Sequence, residues 1–249
     1  MCTVSFVARQ RGYLLAMNRD EKLSRAKGLP PRPISVEGRT VLCPSEPGGG
    51  TWIALNDTGA AFALVNWYSV KSDVKTNPFS RGGIVKAISA QTSAVEASKI
   101  LEQLPLRQVN PFRLIGIFSK QKEIVEWRWD LSALVCQKRP WKTQQWISSG
   151  HDEPQAQRVR SKTFRAAFRQ KSAGSSTWLR RLHRSHTPAC GPFSTCMHRA
   201  DAATVSYTEI AVTSSRTEMF YYPDAPCQCA LKAKTHEHQM PLSSANHLS

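Results

Sequence analysis

The chain has 249 residues, a formal net charge of +16, and 41% hydrophobic residues including 7 Trp. This composition can build a sizeable core in one domain or two small ones, which excludes a disordered chain. No apolar run approaches the roughly 20 residues that a membrane-spanning helix needs, which excludes a transmembrane segment.

The N-terminus and the cysteines indicate the compartment. The first apolar stretch is interrupted by arginine directly after Ala8, so no signal peptide is expected. The 7 cysteines have scattered spacings without a CxxC pair, which favours reduced thiols over a disulfide framework. We therefore expect a soluble, cytoplasmic protein. Cys227 and Cys229 lack a second ligand pair at zinc spacing, so no metal site is expected.

The first half of the chain is predicted to form two hairpins. Alternating apolar and β-branched residues predict strands over 3–7 and 13–17, joined by a turn. A second hairpin is predicted over 52–55 and 60–66, around an Asn-Asp-Thr-Gly turn. The proline-rich stretch 29–33 is expected to be an extended loop.

Helices and further strands follow. Ser80 and Ser93 are predicted to begin two helices. Strands are then expected over 112–118, 123–129, 133–137 and 145–149, a basic helix over 154–170, a short helical turn over 177–182, and strands over 204–210 and 218–222. We expect residues 1–225 to form a single domain and residues 226–249 an irregular, flexible tail.

The order of these elements favours one fold class. It contains no repeated alternation of strand and helix, which argues against a doubly wound parallel sheet. An α+β sandwich of antiparallel sheets with helices outside fits better.

A basic segment lies between Pro154 and Ala200, with ten basic residues and no acidic one. Such a block attracts polyanions or anionic substrates, although a solvated helix face explains it more simply. Aromatic residues do not interleave with the charges as a stacking platform requires, so no specific nucleic-acid partner is expected. A small-molecule substrate is the favoured partner, and the charges are compatible with an anionic one.

Cys2 is the candidate nucleophile. Removal of Met1 before this small residue would leave Cys2 with a thiol and a free α-amine. The amine titrates at about 7.7–8.0 and the thiol at about 8.5, so the amine can accept the thiol proton at neutral pH. This is the chemistry of an N-terminal nucleophile.

Three polar side chains are predicted to meet Cys2 where the two hairpins end. The first hairpin returns 18–21 beside Cys2, and the second ends at Asn66. Asp20 can hold or orient the amine, and Arg19 can bind a substrate carboxylate or lower the thiol pKa. The Asn66 amide can donate to an oxyanion. Cys2, Arg19, Asp20 and Asn66 are therefore the predicted catalytic residues.

Simpler interpretations of the candidate residues stay open. Arg19 and Asp20 can form a surface ion pair that contributes little. Asn66 can cap a strand end, and Trp52 can be core packing. His198 can be an ordinary loop histidine.

The same residues carry a family resemblance. The runs Met1-Cys2-Thr3, Asn18-Arg19-Asp20-Glu21, Gly49-Gly50-Thr51-Trp52 and Leu64-Val65-Asn66 resemble the NRDE family, also called the transport-and-Golgi-organisation family. Further matching runs are Ser80-Arg81-Gly82, Asn110-Pro111-Phe112-Arg113-Leu114 and Met197-His198-Arg199-Ala200-Asp201.

The resemblance implies a fold and an activity. The family is similar to the N-terminal-nucleophile hydrolases, whose relatives with a Cys nucleophile include penicillin V acylases and bile-salt hydrolases. A four-layer αββα fold and an amide hydrolase acting through a thioester are therefore implied. The acylases have the order Arg-Asn-x-Asp, whereas here Asn18 precedes Arg19. The acylases also use a later Arg, for which Arg158, Arg160 and Arg199 are the candidates.

Substrate binding and an alternative function complete the predictions. Asn18, Trp52, His198 and Arg199 are the predicted substrate-binding residues, and no cofactor is expected. The family has also been linked to haem trafficking and lipid handling, which makes a non-catalytic carrier the alternative. In that case haem is the ligand, with Met17, Met197, His198 or Cys2 as candidate iron ligands.

Overall fold

Two antiparallel sheets form the centre of the computed structural model, which describes residues 2–71, 79–228 and 236–243. Sheet A consists, in spatial order, of β10 (Gln144–Ser148), β1 (Cys2–Ala8), β2 (Tyr13–Lys22), β11 (Ala202–Val212), β12 (Arg216–Tyr222) and β13 (His236–Pro241). Sheet B consists of β3 (Leu29–Val36), β4 (Arg39–Ser45), β5 (Ile53–Asn56), β6 (Ala60–Asn66), β7 (Phe112–Phe118), β8 (Glu123–Trp129) and β9 (Leu134–Arg139).

Four helices cover the outer faces of the sheets in the described chain. They are α1 (Arg81–Ile88), α2 (Ala94–Gln103), α3 (Glu153–Phe168) and α4 (Ser176–His183). The predicted starts at Ser80 and Ser93 are confirmed: each side chain accepts a backbone N–H of the first turn, and Ser93 forms a capping box with Glu96. None of these helices is long and apolar enough to cross a membrane.

Three hydrophobic cores hold the elements together. Residues such as Phe6, Leu15 and Ile115 form the core between the sheets. A second core packs α1 and α2 onto sheet B, and a third packs α3 and α4 onto sheet A. The layers therefore run helix, sheet, sheet, helix, and the α+β fold with the αββα arrangement is confirmed.

The strand predictions are wrong in three places. Residues 39–45 form β4, an interior strand of sheet B where no strand was predicted. Residues 29–33 are not a loop but the start of β3, an edge strand, where proline is tolerated because only one side of the strand needs backbone donors. The polar sequence 236–241 forms β13, which pairs with β12 and buries Met240, so the predicted irregular tail is corrected there. The predicted division at residue 225 stays a prediction, and its tail falls partly on 229–235 and 244–249, outside the described residues.

The first hairpin places Cys2 at the start of β1, an interior strand of sheet A. Gly12 permits the turn, because its φ is +90° and a Cβ there would lie 1.9 Å from the Val212 carbonyl oxygen. The resulting register puts Cys2 opposite Arg19 on β2 and opposite Ser148 on β10. The predicted return of the NRDE run beside Cys2 is confirmed.

Candidate active site

A pocket of about 310 Å³ opens where β1 and α1 begin and β2 and β6 end. Five of the eight predicted site residues line it: Cys2, Arg19, Asp20, Trp52 and Asn66. The two hairpins explain this arrangement, because the start of β1 and the ends of β2 and β6 lie at the same edge of the sandwich. The roles assigned to these residues stay predictions.

The Cys2 thiol is buried at the floor of this pocket. Its residue is 7% exposed and packs with the core between the sheets. Burial raises the pKa of the thiol, and the negative charge of Asp20 adds to this effect. The charge of Arg19 and a hydrogen bond donated by the Asp20 backbone N–H oppose it. Because the net shift is upward, the thiol needs a proton acceptor to become a nucleophile.

Arg19 shares the Cys2 face of sheet A. Its guanidinium carbon lies 4.4 Å from the centre of the Trp52 ring. Its Nη2 donates to Glu46 at 2.8 Å and to Glu21 at 3.3 Å. Arg19 therefore forms its ion pairs with these two glutamates. Trp52 belongs to the pocket wall and also to the core between the sheets.

The Asp20 side chain is held by a buried polar network. Thr204 donates its hydroxyl to Asp20 Oδ1 at 2.6 Å, and Arg160 Nη1 donates to Oδ2 at 3.2 Å. Arg160 also donates to the Thr3 hydroxyl at 2.7 Å, and both charged side chains are fully buried. Side chains alternate along a strand, so the Asp20 carboxylate lies on the face of sheet A that packs against the helices.

One of the three candidates for the late arginine contacts this network. Arg160 reaches Asp20 from α3. Arg158, on the same helix, donates to Gln155 on the exposed face, and Arg199 pairs with Asp201. The structure thus singles out Arg160, although the amphipathic pattern of α3 alone did not.

Asn66 lies at the end of β6 on the wall of the pocket. Its Nδ2 donates to the Tyr68 hydroxyl at 2.8 Å. Part of the side chain is accessible, so its amide can also meet a ligand. This contact is compatible with the predicted oxyanion role and with the simpler role at a strand end.

The pocket also contains residues to which the sequence assigned no role. They are Glu21, Arg25, Glu46, Thr51, Leu64, Phe79, Ser80, Arg81, Gly82 and Asn110. The runs that matched the family, which were the available signal, contain seven of them: Glu21, Thr51, Leu64, Ser80, Arg81, Gly82 and Asn110. Arg81 begins α1 and donates to the Pro111 carbonyl at 3.3 Å, and burial lowers its pKa.

The structure corrects the assignment of Asn18 to substrate binding. Its Nδ2 donates to the carbonyls of His183 and Thr195 at 2.9 and 2.8 Å. Its Oδ1 therefore accepts from His183 Nδ1 at 3.0 Å, and the Ser5 hydroxyl donates to His183 Nε2 at 2.9 Å. Asn18 is fully buried and ties α4 to sheet A, because strand alternation turns it away from the Cys2 face.

His183 gives an expected pH dependence of stability. Burial, aided by the charge of Arg160, lowers its pKa to about 3. An unfolded histidine titrates near 6.5, so the unfolded state binds a proton first as the pH falls. This contribution to the free energy of unfolding is fully present above about pH 6.5. Between there and about pH 3 the free energy of unfolding should fall by about 1.4 kcal/mol per pH unit.

Urea denaturation at several pH values measures this slope. In His183→Gln the slope should decrease, whereas in the exposed control His151→Gln it should not; equal slopes in both variants contradict the prediction.

The structure also separates His198 and Arg199 from the Cys2 pocket. His198 lines a second pocket of about 240 Å³, which shares Arg19, Glu21 and Arg25 with the first. Arg199 forms an ion pair with Asp201 at 2.7 Å. Neither residue lines the Cys2 pocket itself, and their assignment to substrate binding stays a prediction. Of the candidate iron ligands, Met17 and Met197 are buried, and Cys2 and His198 line different pockets.

The layers and the position of Cys2 place this chain in the N-terminal-nucleophile hydrolase fold class. It is similar to the penicillin V acylase from Agrobacterium tumefaciens, with a TM-score of 0.54 and 11% identity over 95% of this chain and 85% of that one. It is also similar to the C2A mutant of the conjugated bile acid hydrolase from Clostridium perfringens, with a TM-score of 0.57 and 8% identity over 96% and 92% of the two chains. At these identities the likeness shows the fold.

The family follows from the sequence itself. The model of the family Transport and Golgi organisation 2 matches residues 1–128, and the chain belongs to this family. No curated protein matches the chain in sequence. The resemblance carried by the NRDE run and its neighbours is thereby confirmed.

Proposed function

We propose that this protein is an amide hydrolase in which Cys2, once it is the N-terminal residue, attacks the carbonyl of a small-molecule amide. The observation that carries the proposal is the meeting of Cys2, Arg19 and Asn66 in one pocket at the start of the interior strand β1. The fold class, in which acylases with this architecture occur, supports it. We place the activity in the cytoplasm, where the cysteines stay reduced.

The reaction would proceed through a thioester. The α-amine of Cys2 takes the thiol proton, and the sulfur attacks the amide carbonyl carbon. The Asn66 amide donates to the resulting oxyanion. The C–N bond then breaks, and the ammonium returns its proton to the leaving amine. Water, deprotonated by the α-amine, attacks the thioester and releases the acid.

Asp20 would position the amine. The negative charge of its carboxylate raises the pKa of the Cys2 thiol. The two carboxylate oxygens accept hydrogen bonds from Thr204 and Arg160, which fix the side chain. The β1 backbone lies between the two faces of sheet A, so a group on the helix-facing side can approach the amine there. A carboxylate held in this way can fix the orientation of an α-ammonium.

The charges of the pocket favour an anionic substrate. Arg19 and Arg25 are paired with Glu21 and Glu46. Arg81 is different, because none of the ion pairs of the described residues includes it. It also lies at the N-terminus of α1, on the wall of the pocket. The helix dipole and the guanidinium both attract a carboxylate at this point.

Trapping of the acyl-enzyme tests the proposal. Intact mass should first show a chain that begins at Cys2. Incubation with paired N-acyl amino acids and their uncharged amide derivatives should then give an acyl adduct on Cys2, faster for the anionic member of each pair. Cys136→Ala, which removes an exposed thiol, is the control and should behave like the parent protein. Retention of Met1, or amide cleavage that does not depend on Cys2, would contradict the proposal.

Asn66 should contribute mainly to the chemical step. Removal of one oxyanion donor costs a hydrolase about 10²–10³-fold in kcat. We expect Asn66→Ala to lose activity by that factor with little change in KM. Tyr68→Phe removes the neighbouring hydroxyl but leaves the amide, and its kcat should stay within a few-fold of the parent. If instead Asn66 only ends the strand, Asn66→Ala will lower stability and leave kcat unchanged.

A further inference from the structure

Four metal-ligating side chains converge behind the second pocket. We call them the Cys-His cluster; its members are His186, Cys196, His198 and Cys227. Their ligand atoms all lie within 4.8 Å of one another. They come from the segment between α4 and β11 and from the segment after β12, so the tertiary fold assembles them.

The distances within the cluster match those around a tetrahedral metal ion. His198 Nε2 lies 3.6 Å from Cys196 Sγ and 3.3 Å from Cys227 Sγ. With zinc–sulfur bonds of about 2.3 Å and zinc–nitrogen bonds of about 2.0–2.1 Å, tetrahedral geometry puts sulfur and nitrogen about 3.6 Å apart. The side chains can therefore hold such an ion with little rearrangement.

Two further contacts suit a ligand role. His186 Nε2 is buried and has no hydrogen-bond partner among the described residues, an unfavourable state for an imidazole nitrogen that a metal bond would relieve. The Cys227 backbone N–H donates to the Cys196 sulfur. Hydrogen bonds of this kind orient the ligands of metal sites.

We propose that the Cys-His cluster binds one Zn²⁺ ion. Two thiolates and two imidazoles fill a tetrahedral shell, which is the composition of a structural zinc site. The four protein ligands leave no position for water or substrate. The site is thus separate from the proposed hydrolysis.

The position of the cluster indicates what the ion stabilises. Thr204 is bonded to Met197, between two cluster ligands, through both its backbone N–H and its hydroxyl oxygen. The same hydroxyl donates to Asp20. By joining the two segments, the ion would fix the loop that supports Thr204 and hence the Asp20 network.

Metal analysis of the full chain tests the inference. Protein purified under reducing conditions should contain about one zinc ion per chain by elemental analysis. Cobalt added to the chelated protein should give the visible absorption of tetrahedral Co²⁺ with thiolate charge transfer. Cys227→Ser and His186→Ala should lose zinc, whereas Cys190→Ser, an exposed cysteine outside the cluster, should retain it.

A measurement on the parent protein covers variants that fail to fold. Chelation should lower its melting temperature, and zinc should restore it. The inference is overturned if the reduced parent protein contains no stoichiometric metal and gives no tetrahedral cobalt spectrum. It is equally overturned if Cys227→Ser retains as much zinc as the parent, or if mass shows that Cys196 and Cys227 form a disulfide under reducing conditions.

Discussion

Cys2→Ala should abolish amide hydrolysis and the acyl adduct while leaving the fold intact. Loss of a nucleophile costs a hydrolase on the order of 10⁶-fold in kcat, because every other group of the site acts through it. The fold should survive, since alanine removes one buried sulfur and leaves no unpaired charge. Steady-state hydrolysis of the best anionic amide, with circular dichroism of both proteins, measures the effect.

The α-amine can be tested separately from the thiol. A fusion that places a cleavable peptide before Cys2 keeps the thiol but blocks the amine. We expect hydrolysis to appear when a protease removes the peptide and exposes Cys2. Equal activity before and after cleavage would show that the thiol uses another base.

Arg160→Met should lower the free energy of unfolding by about 3–5 kcal/mol. Arg160 and Asp20 form a fully buried ion pair, so the substitution removes one opposite charge from beside a buried carboxylate. Methionine keeps most of the aliphatic volume, which limits the contribution of a cavity. Urea denaturation at neutral pH gives the difference.

The controls for this variant come from the same helix and the same pair. Arg158→Met removes an exposed arginine that donates to Gln155, and its effect should stay within about 0.5 kcal/mol. Asp20→Asn removes the negative charge of the buried pair, so the double variant Asp20→Asn with Arg160→Met should recover part of the loss. An effect of Arg160→Met as small as that of Arg158→Met would mean that the buried pair contributes little.

Local patterns predicted the hairpins and helix starts well because their causes are local. The alternation in β1, β2 and β6 and the caps at Ser80 and Ser93 depend on neighbouring residues. The same reasoning missed β3, β4 and β13. Proline in β3 and polar residues in β13 are tolerated because these are edge strands, which pair with a neighbour on one side only. Edge strands are defined by their pairing partner, which local sequence does not show.

The candidate site was predictable where the hairpins carry it. Cys2, Arg19 and Asn66 meet because strand lengths and turns fix their positions. The face of each side chain was harder to assign: Asn18 and Asp20 turn to the helix layer, and Asn18 is used to bind α4. Arg81 reaches the pocket because α1 packs on sheet B, a contact between distant segments.

The sequence by itself determined the family and the fold class and indicated Cys2 as the candidate nucleophile, because these rest on short runs and on periodicity within single elements. Only the tertiary structure decided which arginine meets Asp20, and that His198 lies with Cys196 and Cys227 instead of with Cys2. These groupings depend on how loops and helices pack across the sandwich. Their members are separated by up to 140 positions in the chain, a distance over which spacing carries no geometric information.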